Sequence, residues 1–169
     1  ICSFYVALFR GTPMVVQLLV FYYVLLPIIG VHITGVQVAM VVFGLNSGAY
    51  ISEIMRSGIQ SVDSGQLEAG RAVGLSFGVT MVKIVIPQAV KNILPTLGNE
   101  FISLIKETSV VSFVGAADLY VAFSYIGSNS YEFMVPYLVM AMIYIVLVLI
   151  ISLLIKLLER SLNRSDRRN

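Results

Sequence analysis

The chain of 169 residues has no tryptophan, one cysteine, one histidine and only 12% charged residues. A soluble domain carries about 25% charged residues, and half that charge cannot cover a globular surface with solvated groups. Most soluble enzymes, nucleic-acid binders and disordered tails are therefore excluded. The single Cys2 permits no disulfide within the chain and no thiolate metal cluster. A Ser-His-Asp triad would have to use His32, and no G-x-S-x-G elbow accompanies it, so His32 reads as a solvated loop residue. Neither a G-x-x-x-x-G-K-[ST] loop nor a G-x-G-x-x-G turn is present. The chain binds no nucleotide by those devices, and no cofactor of its own is expected.

What the sequence does hold is apolar. Hydrophobic residues make up 58% of it, and the mean hydropathy is +0.92. Such a chain has lipid as its main solvent. At about 20 residues per spanning helix the length holds several spans but one compact membrane domain, residues 1–169. The chain starts at Ile1, and residues 1–9 lack a basic n-region and a small-residue cleavage site. They read as the tail of a helix whose beginning is missing, and the sequence as a fragment.

Four spans are expected. The first covers residues 14–29, with Thr12 as cap and Pro13 at its first position; Pro27 and Gly30 close it. The second covers 33–55, the third 97–117 and the fourth, the most apolar, 134–158. Tyr131, Tyr137, Lys156 and Arg160 suit the interfaces of the last. Lys156, Arg160, Arg164, Arg167 and Arg168 make the C-terminus basic, while the loops 27–35 and 118–132 hold no Lys or Arg. Cytoplasmic loops are enriched in those residues, so the C-terminus should be inside and the two loops outside. Parity then puts residues 57–95 in the cytoplasm. That segment is too polar and Gly-rich to span. Asp63 and Gln66 mark the start of a short helix running through Leu75. A second helical stretch begins near Phe77, with bends or breaks at Pro87 and Pro95.

This segment carries the most specific pattern. Glu68-Ala69-Gly70 is followed by Gly74, and further on by Ile84-Val85-Ile86-Pro87. The spacing is similar to the E-A-A-x-x-x-G-x9-I-x-L-P loop of bacterial ABC importer permeases, with Gly70 for the second Ala and Ile86 for Leu. Four further stretches resemble the polar amino-acid uptake branch (the histidine, glutamine, glutamate and arginine group): Phe9-Arg10-Gly11-Thr12-Pro13, Asn46-Ser47-Gly48-Ala49-Tyr50, Glu53-Ile54-Met55-Arg56-Ser57-Gly58-Ile59 and Lys106-Glu107-Thr108-Ser109. Permeases of that family carry another span upstream of the F-R-G-T-P stretch. The resemblance implies an all-α membrane bundle with a cytoplasmic coupling helix, in which Glu68, Ala69, Gly70, Gly74, Ile84 and Pro87 engage an ATPase. Physically, Ala69, Gly70, Ala72 and Gly74 would let a partner approach the backbone closely. Glu68 would sit near the helix N-terminus, where the dipole favours it, and Gly74 would permit the turn that follows.

The spans offer a candidate substrate path. At about 100° per residue Asn46, Tyr50 and Glu53 share one side of the second span. Asn99, Glu100, Ser103, Lys106 and Glu107 share an arc of roughly 120° on the third. Lys106 could meet the carboxylate of an amino acid, and Glu107 or Glu53 its ammonium; the alternative is that these charges pair between helices and serve only the fold.

Taken together, the resemblance implies a permease subunit in a bacterial plasma membrane, multi-pass, with a cytoplasmic C-terminus, and not an enzyme itself. An extracytoplasmic binding protein would deliver a polar amino acid. A second copy or a related permease would complete the path, and separate ATPase subunits would hold the ATP and magnesium. No nucleic acid is involved. The competing readings are a permease for another small solute, an ATP-independent channel or secondary carrier, and a membrane scaffold.

Overall fold

The structure is a computed structural model that describes residues 2–165, with side chains described for 2–160. The side chain of Arg164 and all of Arg167 and Arg168, part of the expected basic tail, lie outside the described residues. Every regular element among the described residues is helical: α1 Cys2–Gly11, α2 Met14–Ile28, α3 Gly35–Gln60, α4 Ser64–Ala72, α5 Phe77–Val114, α6 Leu119–Ser130 and α7 Met134–Ser165.

The chain turns by 109° between α1 and α2. Pro13, not Thr12, is the N-cap of α2, extended at φ −63° and ψ 141°. A residue before proline is kept out of the helical region, so Thr12 is left in the turn and donates its hydroxyl back to the Leu8 carbonyl at 2.7 Å. Further along, α2 holds a π turn at Phe21–Leu25, two residues before Pro27. The same arrangement recurs in α5, where the π turn Met81–Val85 precedes Pro87. Proline donates no N–H and crowds the carbonyl four residues back; a widened turn absorbs that misfit. Pro87 and Pro95 therefore lie in a continuous helix, not at breaks. Gly30, in the left-handed region at φ +71°, ends α2.

The second expected span corresponds to α3, which starts on a capping box between Thr34 and Gln37 and continues past residue 55 to Gln60. The expected third span is the second half of α5. That helix has 38 residues, about 57 Å, nearly twice the roughly 30 Å of hydrocarbon, so it cannot lie wholly within it. Residues 57–60 and 77–95 accordingly belong to the long helices, and only 61–76 lie between them. The expected outer loop 118–132 is instead mostly α6, twelve residues long and too short to span. Asp118 caps it by accepting from the Val121 N–H at 2.7 Å. The fourth expected span is the start of α7, which continues to residue 165. Three helices, α3, α5 and α7, are long and apolar enough to cross a membrane, and the bent α1–α2 pair makes a fourth if it counts as one broken span.

The buried core lies at one end, where Met14 and Leu18 of α2, Val38, Ala39 and Val42 of α3, and Val114 of α5 meet. There and at other crossings the helices approach through glycine. A Cβ on Gly35 would fall 2.1 Å from the Val114 carbonyl oxygen, one on Gly58 2.2 Å from Ile93 Cγ1, and one on Gly98 2.6 Å from Ile155 Cγ2. Small residues at crossings are how membrane helices gain contact without a hydrophobic drive. Gly58→Ala should lower the thermal midpoint in detergent by the equivalent of about 1–3 kcal/mol. Adding Ile93→Ala, which removes the clashing atoms, should recover part of the loss; no recovery would mean that the α3–α5 crossing is not set by this contact.

Candidate functional site

The short helix α4 stands between two of the long helices. Asp63 caps it by accepting from the Gly65 N–H at 2.7 Å. Gln66 does not complete a capping box; its side-chain oxygen accepts from Gln88 Nε2 of α5 at 3.2 Å. The helix stops at Ala72, earlier than the expected Leu75. Gly74, at φ +89°, makes the turn, with its N–H donating to the Arg71 carbonyl at 3.0 Å and the Leu75 N–H to the Gly70 carbonyl at 3.1 Å. Two bonds of this pattern around a left-handed residue form a Schellman cap. Ser76 then caps α5.

The small residues divide into two groups. Gly70 is buried against this chain's own α5, where a Cβ would meet Thr80 Cγ2 at 2.4 Å and Ile84 Cδ1 at 3.3 Å. Its size therefore serves an internal contact, contrary to the expected approach of a partner. Ile84 is half-buried in the same contact. Glu68, Ala69, Arg71, Ala72, Gly74 and Pro87 are exposed, and Val73 is 77% exposed.

Asn46, Tyr50 and Glu53 do share a face of α3, but that face is turned to α1. Asn46 is 4% exposed. Its Nδ2 donates to the Phe9 carbonyl at 3.1 Å and to Gln17 Oε1 at 3.0 Å. Gln17 Nε2 in turn donates to the Phe9 carbonyl, the Thr12 carbonyl and Thr12 Oγ1 at 2.8, 2.9 and 2.9 Å. Asn46 is thus consumed in holding the bend between α1 and α2 and does not open onto a path. The Arg10 guanidinium lies 5.4 Å from the centre of the Tyr50 ring. Glu53 pairs with Arg10 at 3.1 Å and with Arg56 at 2.6 Å. Sequence reasoning missed Arg10 and Gln17 as members of this cluster. The signal was present: Gln17 is the one polar residue other than tyrosine between Met14 and Pro27, and a lone amide in an apolar run needs a partner.

The arc on α5 is different. Asn99, Lys106 and Glu107 are exposed, and Glu100 and Ser103 half-buried. Neither Lys106 nor Glu107 forms an ion pair with a described residue. Lys106 and Ser109 of α5, with Tyr144, Ile145, Val148 and Leu149 of α7, line a cleft of about 450 Å³. Among the described residues no group of three or more His, Cys, Asp or Glu could hold a metal ion.

Residues 1–164 match the family of binding-protein-dependent transport system inner membrane components. Among curated proteins the chain is 41% identical over 144 residues to the arginine transport system permease protein ArtQ of Bacillus subtilis (strain 168), covering 85% of this chain and 66% of that one. It is 42% identical over 143 residues to the L-cystine transport system permease protein TcyB of the same organism, covering 84% and 61%. The chain thus spans less than two thirds of the length of these relatives. Among solved structures, an amino acid ABC transporter crystallised with histidines superposes with a TM-score of 0.87 at 45% identity, covering 94% of this chain and 74% of that chain.

The polar cluster at the bend generates a test. Gln17→Leu leaves Asn46 Nδ2 and two carbonyls short of a partner and should cost about 1–3 kcal/mol of stability. Asn46→Leu should do the same. The double variant should cost clearly less than the sum, because each single change already removes the shared Asn46–Gln17 bond. Thermal unfolding of the four proteins in one detergent measures this, and strict additivity would show that the two amides act independently.

Proposed function

The chain belongs to the family of inner membrane components of binding-protein-dependent transport systems, and from that premise we propose that it is the permease subunit of an ATP-driven importer of a polar amino acid. The substrate class follows the relatives named for arginine and L-cystine and the amino acid transporter that superposes on the chain. In this reading a binding protein outside the membrane delivers the amino acid, and ATPase subunits on the cytoplasmic side supply the energy by binding ATP and magnesium.

The observation that carries the proposal is α4, a capped helix set between α3 and α5 with Glu68, Ala69, Ala72 and Val73 exposed. A channel or a carrier driven by an ion gradient has no use for an apolar-edged helix held off its spans. An ATPase that closes on nucleotide needs one to push. Residues 57–95 then form the coupling segment, with α4 as its contact and the first turns of α5 as its return to the membrane. Glu68, Ala69 and Gly74 belong to the docking face and its turn, while Gly70 and Ile84 hold the helix in place.

The exposed arc on α5 supports a second permease copy or a related permease. An unpaired charge facing hydrocarbon costs about 2.5–3.5 kcal/mol on insertion scales, so Lys106 and Glu107 are placed where a partner helix or water covers them. The Lys106 ammonium, beside Ser109 and Tyr144 in the cleft, would receive a substrate carboxylate. Asn99, Glu100 and Glu107 extend the polar surface along the same helix, and Glu107 would receive the substrate ammonium. Asn46, Tyr50 and Glu53 are left with structural roles.

Three outcomes test this reading. In a Cys2→Ser background, a cysteine at Ser128 should react with an impermeant label from outside intact cells and one at Ser64 should not; labelling at both would remove the cytoplasmic placement of α4 and the C-terminus. Gly74→Asp introduces a side chain at positive φ, at a cost of about 1–3 kcal/mol, confined to the α4 turn. That variant should insert and accumulate, yet lose ATP hydrolysis stimulated by the loaded binding protein. Lys106→Met should lower uptake by about tenfold or more at unchanged protein level, the loss of one charge-assisted hydrogen bond to substrate; normal uptake would assign Lys106 to the fold.

A further inference from the structure

Thr80 is completely buried, although it sits in the first turn of a helix whose neighbours Phe77, Gly78 and Val79 are exposed. What covers it is α4. Its hydroxyl donates to the Ser76 carbonyl at 3.0 Å within its own helix, so its polar atom is satisfied locally and its methyl is free to pack. The methyl packs on the bare backbone of Gly70, with Ile84 closing the other side. One turn earlier on α4 and two turns later on α5, Gln66 and Gln88 join through a hydrogen bond of 3.2 Å. Gln88 Nε2 also donates to the Ile84 carbonyl at 3.0 Å, which fixes its side chain along α5. These two contacts lie on either side of the π turn Met81–Val85. A helix held at two points to another helix cannot pivot on it. The four-residue turn through Gly74 is therefore not the element that sets the position of α4.

We propose that Gly70 and Thr80 are positioning residues, a size-matched pair that locks α4 onto α5 so that the two helices move as one rigid lever across the π turn. This rests on the reading of α4 as the contact for an ATPase, and adds where the push enters the membrane helix. It enters at Thr80 and Gln88, through side-chain contact, and not along the connecting backbone. The departure of Gly70 from the second alanine of the resembled loop follows: with threonine at position 80 there is no room for a methyl at position 70.

The test uses the full permease with its ATPase subunits. Gly70→Ala would put a methyl 2.4 Å from Thr80 Cγ2 and should push α4 off α5. Thr80→Ala removes both the methyl and the hydroxyl oxygen that obstruct it, so Gly70→Ala/Thr80→Ala should seat α4 again. The contact is read without reference to transport, by oxidative cross-linking of Gln66→Cys to Gln88→Cys in a Cys2→Ser background, in membranes. Its rate should drop about tenfold in Gly70→Ala and return to within about twofold of the parent in the double variant, as expected for overpacking and its relief. Amino acid taken up per ATP hydrolysed should follow the same order. A cross-linking rate unchanged by Gly70→Ala, or a double variant as impaired as the single, overturns the lock. Cross-linking that behaves as stated while uptake per ATP stays constant overturns the lever. A parent complex whose ATP hydrolysis ignores the loaded binding protein overturns the functional reading instead, and leaves the cross-linking result to decide the contact.

Discussion

A buried helix end has no water to satisfy its backbone groups, and the bend between α1 and α2 brings two helix ends together around the buried Gln17 and Asn46. One side chain resolves the problem. The amide of Gln17 donates to the Phe9 and Thr12 carbonyls and accepts from Asn46, so a carbonyl near the end of α1, one in the turn and the Asn46 amide in the middle of α3 are joined by a single group. The rest of that end of the molecule is placed by it. Leu18, next to Gln17, is then fully buried with Val38, Val42 and Val114, and the Arg10–Glu53–Arg56 cluster continues the same α1–α3 seam. Buried amides of this kind hold geometry because every alternative leaves a polar group in apolar surroundings.

The other crossings depend on size. Gly35, Gly58, Gly70 and Gly98 each stand where a methyl would collide with a neighbouring helix. Close approach lets α7, whose long aliphatic face is exposed along most of its length, rest on α5 through Gly98 and Ile155 and on α6 through the stacked Tyr120 and Tyr137 rings, 6.4 Å apart. It also divides labour within one short motif: Glu68, Ala69 and Ala72 face outward, while Gly70, two positions from Glu68, is spent inward.

Most of the fold was legible because composition and charge report solvent. The helices that cross, their order and the capped short helix after Asp63 all follow from runs of apolar residues and their punctuation. The boundaries were not legible where one residue type has two outcomes. Pro87 and Pro95 commonly end helices, and only the π turn explains why Pro87 does not. The stretch before α7 holds no Lys or Arg, which reads as an outer loop, yet Asp118 caps a helix there. At the site, a helical wheel correctly gathered Asn46, Tyr50 and Glu53 on one face, but a wheel shows no neighbour. That the neighbour was α1, and not a path, required knowing that Arg10 and Phe9 fold back across them.

The two π turns have a consequence for how such a chain tolerates change in length. A π turn is a helix with one residue too many in a single turn. Remove one residue between Met81 and Val85 and the turn becomes an ordinary helical one; because the surplus residue was absorbed within that single turn, everything after it keeps its phase relative to everything before it. Thr80 and Gly70 would remain matched, Gly98 would stay against Ile155, and the arc bearing Lys106 would keep its neighbours. What such a deletion brings back is the misfit between Pro87 and the carbonyl four residues before it. The surplus residue is a slack in length and not in phase: α5 can be shortened by one residue there, and not elsewhere along it, without turning one half against the other.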